Sequence, residues 1–303
     1  MKTVPPQKSS IERVAGLLVT VDEAFIEKDW YVVQVLRLLN DMQMHNIQIA
    51  FGGGTSLAKA GIIKRFSEDI DFKVAIHPFG HKYYREARKK IIEAIVAEGF
   101  VLVADPKVYD ESRFFSIEVD YGSTFAKHAR LRTHIRIEVR FGTTQLPVVL
   151  MPVQSLFATG KKLPPEIASM PFINPVEIAA DKLSALAWRL QDKDESQDKT
   201  LIRHVHDLAA LESFVTSREE FTTLVYHSVA CDFNRTDIAP EQRLQKVIPQ
   251  LQTAQWEMAY QSFVQDMTFA RDDELISYTA ALEACERLIA FVEYNESCSD
   301  FLP

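Results

Sequence analysis

Three consecutive glycines, Gly52-Gly53-Gly54, directly follow the apolar run Ile47–Phe51. Glycine costs roughly 1 kcal/mol relative to alanine inside a helix or strand, because it loses the most backbone freedom on ordering. A regular element therefore ends here. A five-residue apolar run stopped by glycines reads as a strand entering a tight turn. Thr55–Ala60 reads as the start of a short helix. Shortly after, Asp69–Ile76 alternates, with Ile70, Phe72 and Val74 on one face and Asp69, Asp71 and Lys73 on the other. That is a half-buried strand with two carboxylates on one side.

The same periodicities extend through the first half of the chain. Helical spacing covers residues 11–46 in two parts, around Ile11–Ile26 and Trp30–Met44, and another helix is expected over 80–98. Strand patterns recur near 100–104, 114–121, 133–141 and 147–153. In the third, Ile135, Ile137, Val139 and Phe141 alternate with His134, Arg136, Glu138 and Arg140. A proline-rich stretch at 155–175 leads into long helical patterns reaching about residue 293. The expected class is α+β: an N-terminal mixed sheet with helices over 1–160, then a mostly helical domain over 161–303.

Composition narrows the setting. With 47% apolar and 25% charged residues, 303 residues can form a sizeable core without staples. Cys231, Cys285 and Cys298 are few, scattered and odd in number, which suits free thiols in a reducing compartment and not a zinc site. The N-terminus has no apolar signal core, and no window approaches the ~18 apolar residues of a membrane span. A cytoplasmic protein without a membrane partner is expected. The net charge of −8 means that any nucleic acid must be met by a local basic patch. His81–Lys90 and Lys127–Arg136 are the two basic stretches.

The glycine turn suits phosphate, because bare backbone N–H groups can approach anionic oxygens closely. Gly53, Gly54, Thr55 and Ser56 fit that task. The segment is neither a P-loop, lacking G-K-[ST], nor a dinucleotide fingerprint, lacking G-x-G-x-x-G. Asp69 and Asp71 suit a hard divalent cation, since Mg²⁺ takes one or two carboxylates and fills its octahedron with phosphate oxygens and water. Each feature alone also fits ordinary structure: a strand-to-helix turn, or two solvated carboxylates.

Together, a glycine turn after one strand and D-x-D on the next resemble the DNA polymerase β-like nucleotidyltransferases. That resemblance implies a third carboxylate on a later strand, with Glu138 the best match and Glu118 and Asp120 its rivals. G-G-T-S-L followed by R-F-S-E-D-I-D-F is more closely similar to the AbiEii/AbiGii toxin family. Further motifs follow in family order: E-I-A-A-D-K-L-S-A-L, with Glu177 and Lys182, and R-H-V-H-D-L, with Arg203, His204 and Asp207. The matching motifs span residues 51–211.

The resemblance implies specific roles. Ser67 and Asp69 match the family's active-site serine and first aspartate, and Asp71 the second. Lys182, from the C-terminal half, would bind the triphosphate, Asp207 would position Lys182, the metal or the acceptor, and Arg65 would contact a phosphate. Mg²⁺ or Mn²⁺ would be the cofactor and an NTP the donor. A cognate antitoxin would be the protein partner, and the tRNA 3′ end the leading acceptor. Arg203 and Asp207 are also spaced as an ordinary helix-surface pair, and His204 and His206 have no clear ligand role. A protein or small-molecule acceptor, or a non-catalytic nucleotide-binding module, are the alternatives.

Overall fold

A computed structural model describes the chain except residues 1–2, 19–20, 43–46, 126–127, 129–130, 193, 195, 233–237, 239 and 300–303. Two compact units emerge, one comprising residues 1–61 and 66–173, the other residues 62–65 and 174–303.

The first unit runs α1 (Lys8–Leu18), α2 (Glu23–Asn40), β1 (Ile47–Gly52), α3 (Gly53–Lys59), β2 (Ile70–Ile76), α4 (His81–Glu98), β3 (Val101–Leu102), β4 (Lys107–Tyr109), β5 (Phe114–Asp120), β6 (Ile135–Phe141), β7 (Val149–Val153), α5 (Leu156–Gly160) and β8 (Ile167–Phe172). The sheet is mixed, in the order β3-β5-β6-β2-β1-β8-β7, with β4 also paired to β5. β2 runs antiparallel to β1 and parallel to β6. Alternation sets its two faces. Ile70, Phe72 and Val74 of β2, Ile117 and Val119 of β5, and Ile135, Ile137 and Val139 of β6 are buried in one core. Val32, Leu36 and Leu39 of α2 and Ile91 and Ile95 of α4 belong to the same core. Asp71, Lys73, Glu118, Arg136 and Glu138 fall on the alternate, partly exposed positions.

Two differences from the sequence reading have physical causes. The helix break expected between Ile26 and Trp30 does not exist, because α2 runs unbroken through Glu27-Lys28-Asp29. All three charges are buried, and each has partners. Glu27 accepts from Thr124 N at 2.9 Å, and Lys28 meets Glu68. Asp29 accepts from Lys59 Nζ at 2.5 Å and from Leu156 N at 2.6 Å. The expected end of this helix at Met44 lies outside the described residues. The second difference is β8, inside the proline-rich stretch read as a domain junction. It pairs with β1 and β7, so the first unit continues to Ile173.

The second unit is helical: α6 (Pro175–Arg189), α7 (Ile202–Val215), α8 (Glu220–Cys231), α9 (Pro240–Arg243), α10 (Val247–Leu251), α11 (Ala254–Met267) and α12 (Tyr278–Ser299). Asn174 caps α6 by accepting from Val176 N at 3.0 Å, and Pro175 opens its first turn. α6 packs on α7 and α8, and α7 on α12. Cys231 and Cys285 are free thiols, and the Cys298 side chain lies outside the described residues. No helix among the described residues is long and apolar enough to cross a membrane.

Removing the Asp29 carboxylate leaves Lys59 enclosed without its anion, a change that costs about 3–5 kcal/mol for a buried pair. Asp29→Ala is expected to lower unfolding free energy by about that amount in urea titrations, and Asp29→Asn, which retains an acceptor for Leu156 N, by less.

Candidate functional site

In the first unit, the glycine turn and the aspartates form one contact system. Gly53 has φ +69°, and a Cβ placed on it would lie 1.8 Å from Asp71 Oδ2. Only a residue without a side chain lets the Asp71 carboxylate occupy that position. Strand pairing explains the approach, since Gly52 is the register partner of Asp71 on the antiparallel β1–β2 ladder. On the other side of β2, Asp71 is the register partner of Glu138. Their carboxyl groups lie within hydrogen-bonding reach of each other. Burial, and then the nearby Asp69 carboxylate, push the Glu138 carboxyl above its ordinary range. Asp69 immediately precedes β2 and is ion-paired to Arg132.

Position separates Glu138 from its rivals. Glu118 is held by Arg136 NH2 at 3.0 Å and faces His134 Nε2 at 3.6 Å, and these neighbours keep its carboxyl below the ordinary range despite burial. Asp120 is exposed and accepts from Gly122 N at 2.9 Å.

The hydroxyls of the turn face inward. Thr55 and Ser56 are each only 1% exposed. Thr55 Oγ1 lies 3.0 Å from Ser67 Oγ and donates to the Asp69 carbonyl. Ser56 Oγ donates to Gly53 O at 2.8 Å. The two hydroxyls therefore brace the loop between the glycines and Asp69, binding Ser67 into it.

The donor set fits a divalent cation that is completed by substrate. Asp69, Asp71 and Glu138 fall on one side of β2 and β6, and burial, with the Asp69 charge behind it, disfavours ionisation of Glu138. Among the described residues, no three His, Cys, Asp or Glu side chains already close into a metal cage.

In the second unit, Asp207 is fully enclosed on α7. Its Oδ1 and Oδ2 each accept at 2.7 Å from Arg65, through Nε and NH2, and Lys182 Nζ lies 2.8 Å from Oδ2. Arg65, expected at a phosphate, is only 4% exposed and committed to this bidentate pair. Burial disfavours the Asp207 charge, but Arg65 and Lys182 overcome it and hold the carboxyl well below its ordinary range. The surface-pair expectation for Arg203 and Asp207 gives way to this arrangement. Arg203 Nε instead reaches Thr200 O at 3.3 Å. The His206 ring packs against Tyr260 and Phe263.

Sequence patterns missed Lys28, Glu68 and Arg132 as neighbours of Asp69. Glu68 lay inside the motif, and Arg132 inside a basic stretch. Lys28 carried one signal, a charge amid apolar helical positions.

Gly53→Ala is expected to cost about 1–2 kcal/mol in thermal unfolding through its left-handed backbone. It should also cut turnover about 100-fold, the order expected when a site is misplaced by an ångström. The depressed Asp207 carboxyl contributes stability fully present above the unfolded value of about 3.9 and lost as pH falls through its lower folded value. Asp207→Asn should therefore destabilise strongly at neutral pH, and its deficit relative to wild type should shrink in urea titrations carried below pH 4.

The fold has a counterpart among solved structures. In structure, the chain resembles MenT4, a nucleotidyltransferase toxin from Mycobacterium tuberculosis H37Rv, with TM-score 0.61 and 19% identity over 93% of this chain and 89% of that one. JHP933 from Helicobacter pylori matches with TM-score 0.45 and 14% identity, covering 89% of this chain and 93% of its own. No curated protein matches in sequence. The model of the family described as nucleotidyl transferase AbiEii toxin, type IV toxin–antitoxin system, matches residues 37–286. The chain belongs to this AbiEii family of nucleotidyltransferase toxins.

Proposed function

We propose that this toxin transfers a nucleoside monophosphate from an NTP to an acceptor hydroxyl, with the tRNA 3′ end as acceptor. The observation that carries the reading is the Asp71 carboxylate lodged against Gly53 and beside Glu138. It supports a cation site and a phosphate-approach surface in one turn. Asp69, Asp71 and Glu138 would hold Mg²⁺ or Mn²⁺. When bound, the cation neutralises charge on the phosphate oxygens as the leaving group departs.

The chain's own residues do the rest. The partly exposed backbone of Gly53 and Gly54 admits phosphate oxygens, while Thr55 and Ser56 keep the turn rigid through their inward hydrogen bonds. The family resemblance assigns Lys182 to the triphosphate; within the second unit its ammonium is held by Asp207 at 2.8 Å. The acceptor oxygen attacks the α-phosphorus, the bond to the bridging oxygen breaks, and pyrophosphate leaves. The acceptor's proton is released to solvent as the new bond forms. Positioning and charge neutralisation carry most of such catalysis.

The RNA acceptor draws support from α4. Tyr84, Ala87, Ile91 and Ile95 are buried, while His81, Lys82, Arg85, Arg88 and Lys89 line an open cleft together with Glu86 and Glu93. The second basic stretch offers less. Arg132 and Arg136 are occupied by Asp69 and Glu118, and Lys127 and Arg130 lie outside the described residues.

Incubation with Mg²⁺, each α-³²P-labelled NTP and total tRNA tests the reading. Label is expected in tRNA, to fall as salt rises because phosphate contacts release counterions, and to vanish in Asp69→Ala. Label in a protein or metabolite would replace the acceptor, and absence of any label would overturn nucleotidyl transfer.

A further inference from the structure

We propose that Arg132 is a built-in counter-ion that holds Asp69 until a divalent cation displaces it, and that the buried Lys28–Glu68 pair serves to aim it. The inference rests on the reading of Asp69 as a metal ligand.

Residue 132 lies outside regular structure, just before β6, so no strand ladder fixes its backbone. Instead, a buried ion pair grips both of its backbone polar groups. Lys28 Nζ donates to Arg132 O at 2.8 Å, and Arg132 N donates to Glu68 Oε2 at 3.3 Å. Lys28 and Glu68 are themselves paired, with side chains 0% and 8% exposed. Burial pulls the Lys28 ammonium below its ordinary range, against the opposing pull of Glu68. A buried pair of this kind adds little net stability over a well-packed apolar pair. What it does supply is a fixed origin for the Arg132 side chain.

From that origin the guanidinium reaches forward. NH1 meets Asp69 Oδ1, while Nε stays 3.9 Å from Glu68 Oε1. The Arg132 side chain is 30% exposed and that of Asp69 23%, so the outer link is accessible to solvent ions while the inner pair is not. A guanidinium and a divalent cation on the same carboxylate repel each other and compete for its charge, the divalent ion with the stronger pull. The inner pair has no such competitor and keeps the displaced arginine close by. Its fork of N–H donors then suits a phosphate oxygen. Arg132 is thus a positioning residue for Asp69, and it neutralises the site between turnovers.

Mn²⁺ titration of the full-length chain, with free ion read by electron paramagnetic resonance, gives the test. Arg132→Gln should bind Mn²⁺ about fivefold more tightly than wild type, the scale of a partly exposed ion pair, and Arg132→Lys should return toward wild type. The double variant Lys28→Met/Glu68→Gln, which leaves no unpaired buried charge, should also tighten binding, and adding Arg132→Gln to it should change nothing further. Unchanged or weaker Mn²⁺ affinity in folded Arg132→Gln and in the double variant overturns the proposal. Asp69→Asn separates the two levels. If it weakens Mn²⁺ binding while Arg132→Gln has no effect, only the counter-ion idea fails. If Asp69→Asn and wild type bind alike, the metal-ligand reading of Asp69 fails with it.

Discussion

The first unit's chemistry depends on one steric fact: the Asp71 carboxylate occupies the space where a side chain on residue 53 would stand. Strand pairing creates this proximity, through the register of Gly52 with Asp71. The left-handed φ of Gly53 then turns the chain into α3. From there the consequences spread in both directions. Thr55 ties the start of α3 to Ser67 and Asp69, and parallel pairing sets Glu138 beside Asp71. A turn, a helix start and three carboxylates are therefore coordinated by one missing methyl group.

This feature was legible in the sequence because backbone constraints leave local marks. Glycines after an apolar run announce a turn, and period-two alternation announces which carboxylates share a face. Glu138 stood first among three strand candidates, with Glu118 and Asp120 behind it, but alternation alone does not specify register. In the sheet Glu138 stands opposite Asp71 and Glu118 opposite Arg136. β8 stayed hidden for another reason. Its Met170-Pro171 sequence carries a strand-breaking residue, yet it lies between β1 and β7, and Ile173 N still bonds to Phe51 O at 2.8 Å.

Charges were the less legible part. Glu27-Lys28-Asp29 looked like a polar gap between helices because charged residues are almost never buried unless paired. Their partners lie far along the chain: Glu68 for Lys28 and residues 123–124 for Glu27. Asp207 shows the same limit. Its spacing from Arg203 suggested a surface pair, but its partner is Arg65, 142 residues away. A local window can register that a charge is out of place in an apolar pattern, but it cannot name the counter-charge.

The two charge clusters solve opposite problems. Asp207 meets two cations, Arg65 and Lys182, and its carboxyl is held well below the ordinary range. That arrangement fixes side chains, because removing any member strands a buried charge. Around Asp71 the balance is reversed. Three carboxylates share the polar side of β2 and β6, with the partly exposed Arg132 ion-paired to Asp69 and Arg136 near Glu138. Repulsion there opposes folding, and it is offset by the opposite face, where Ile70, Phe72, Ile137 and Val139 each contribute roughly 1.5–3 kcal/mol by burial. A sequence under selection for stability alone would replace one of the carboxylates. Retaining all three concentrates negative charge beside the glycine turn, and that concentration is the ground for proposing a cation there.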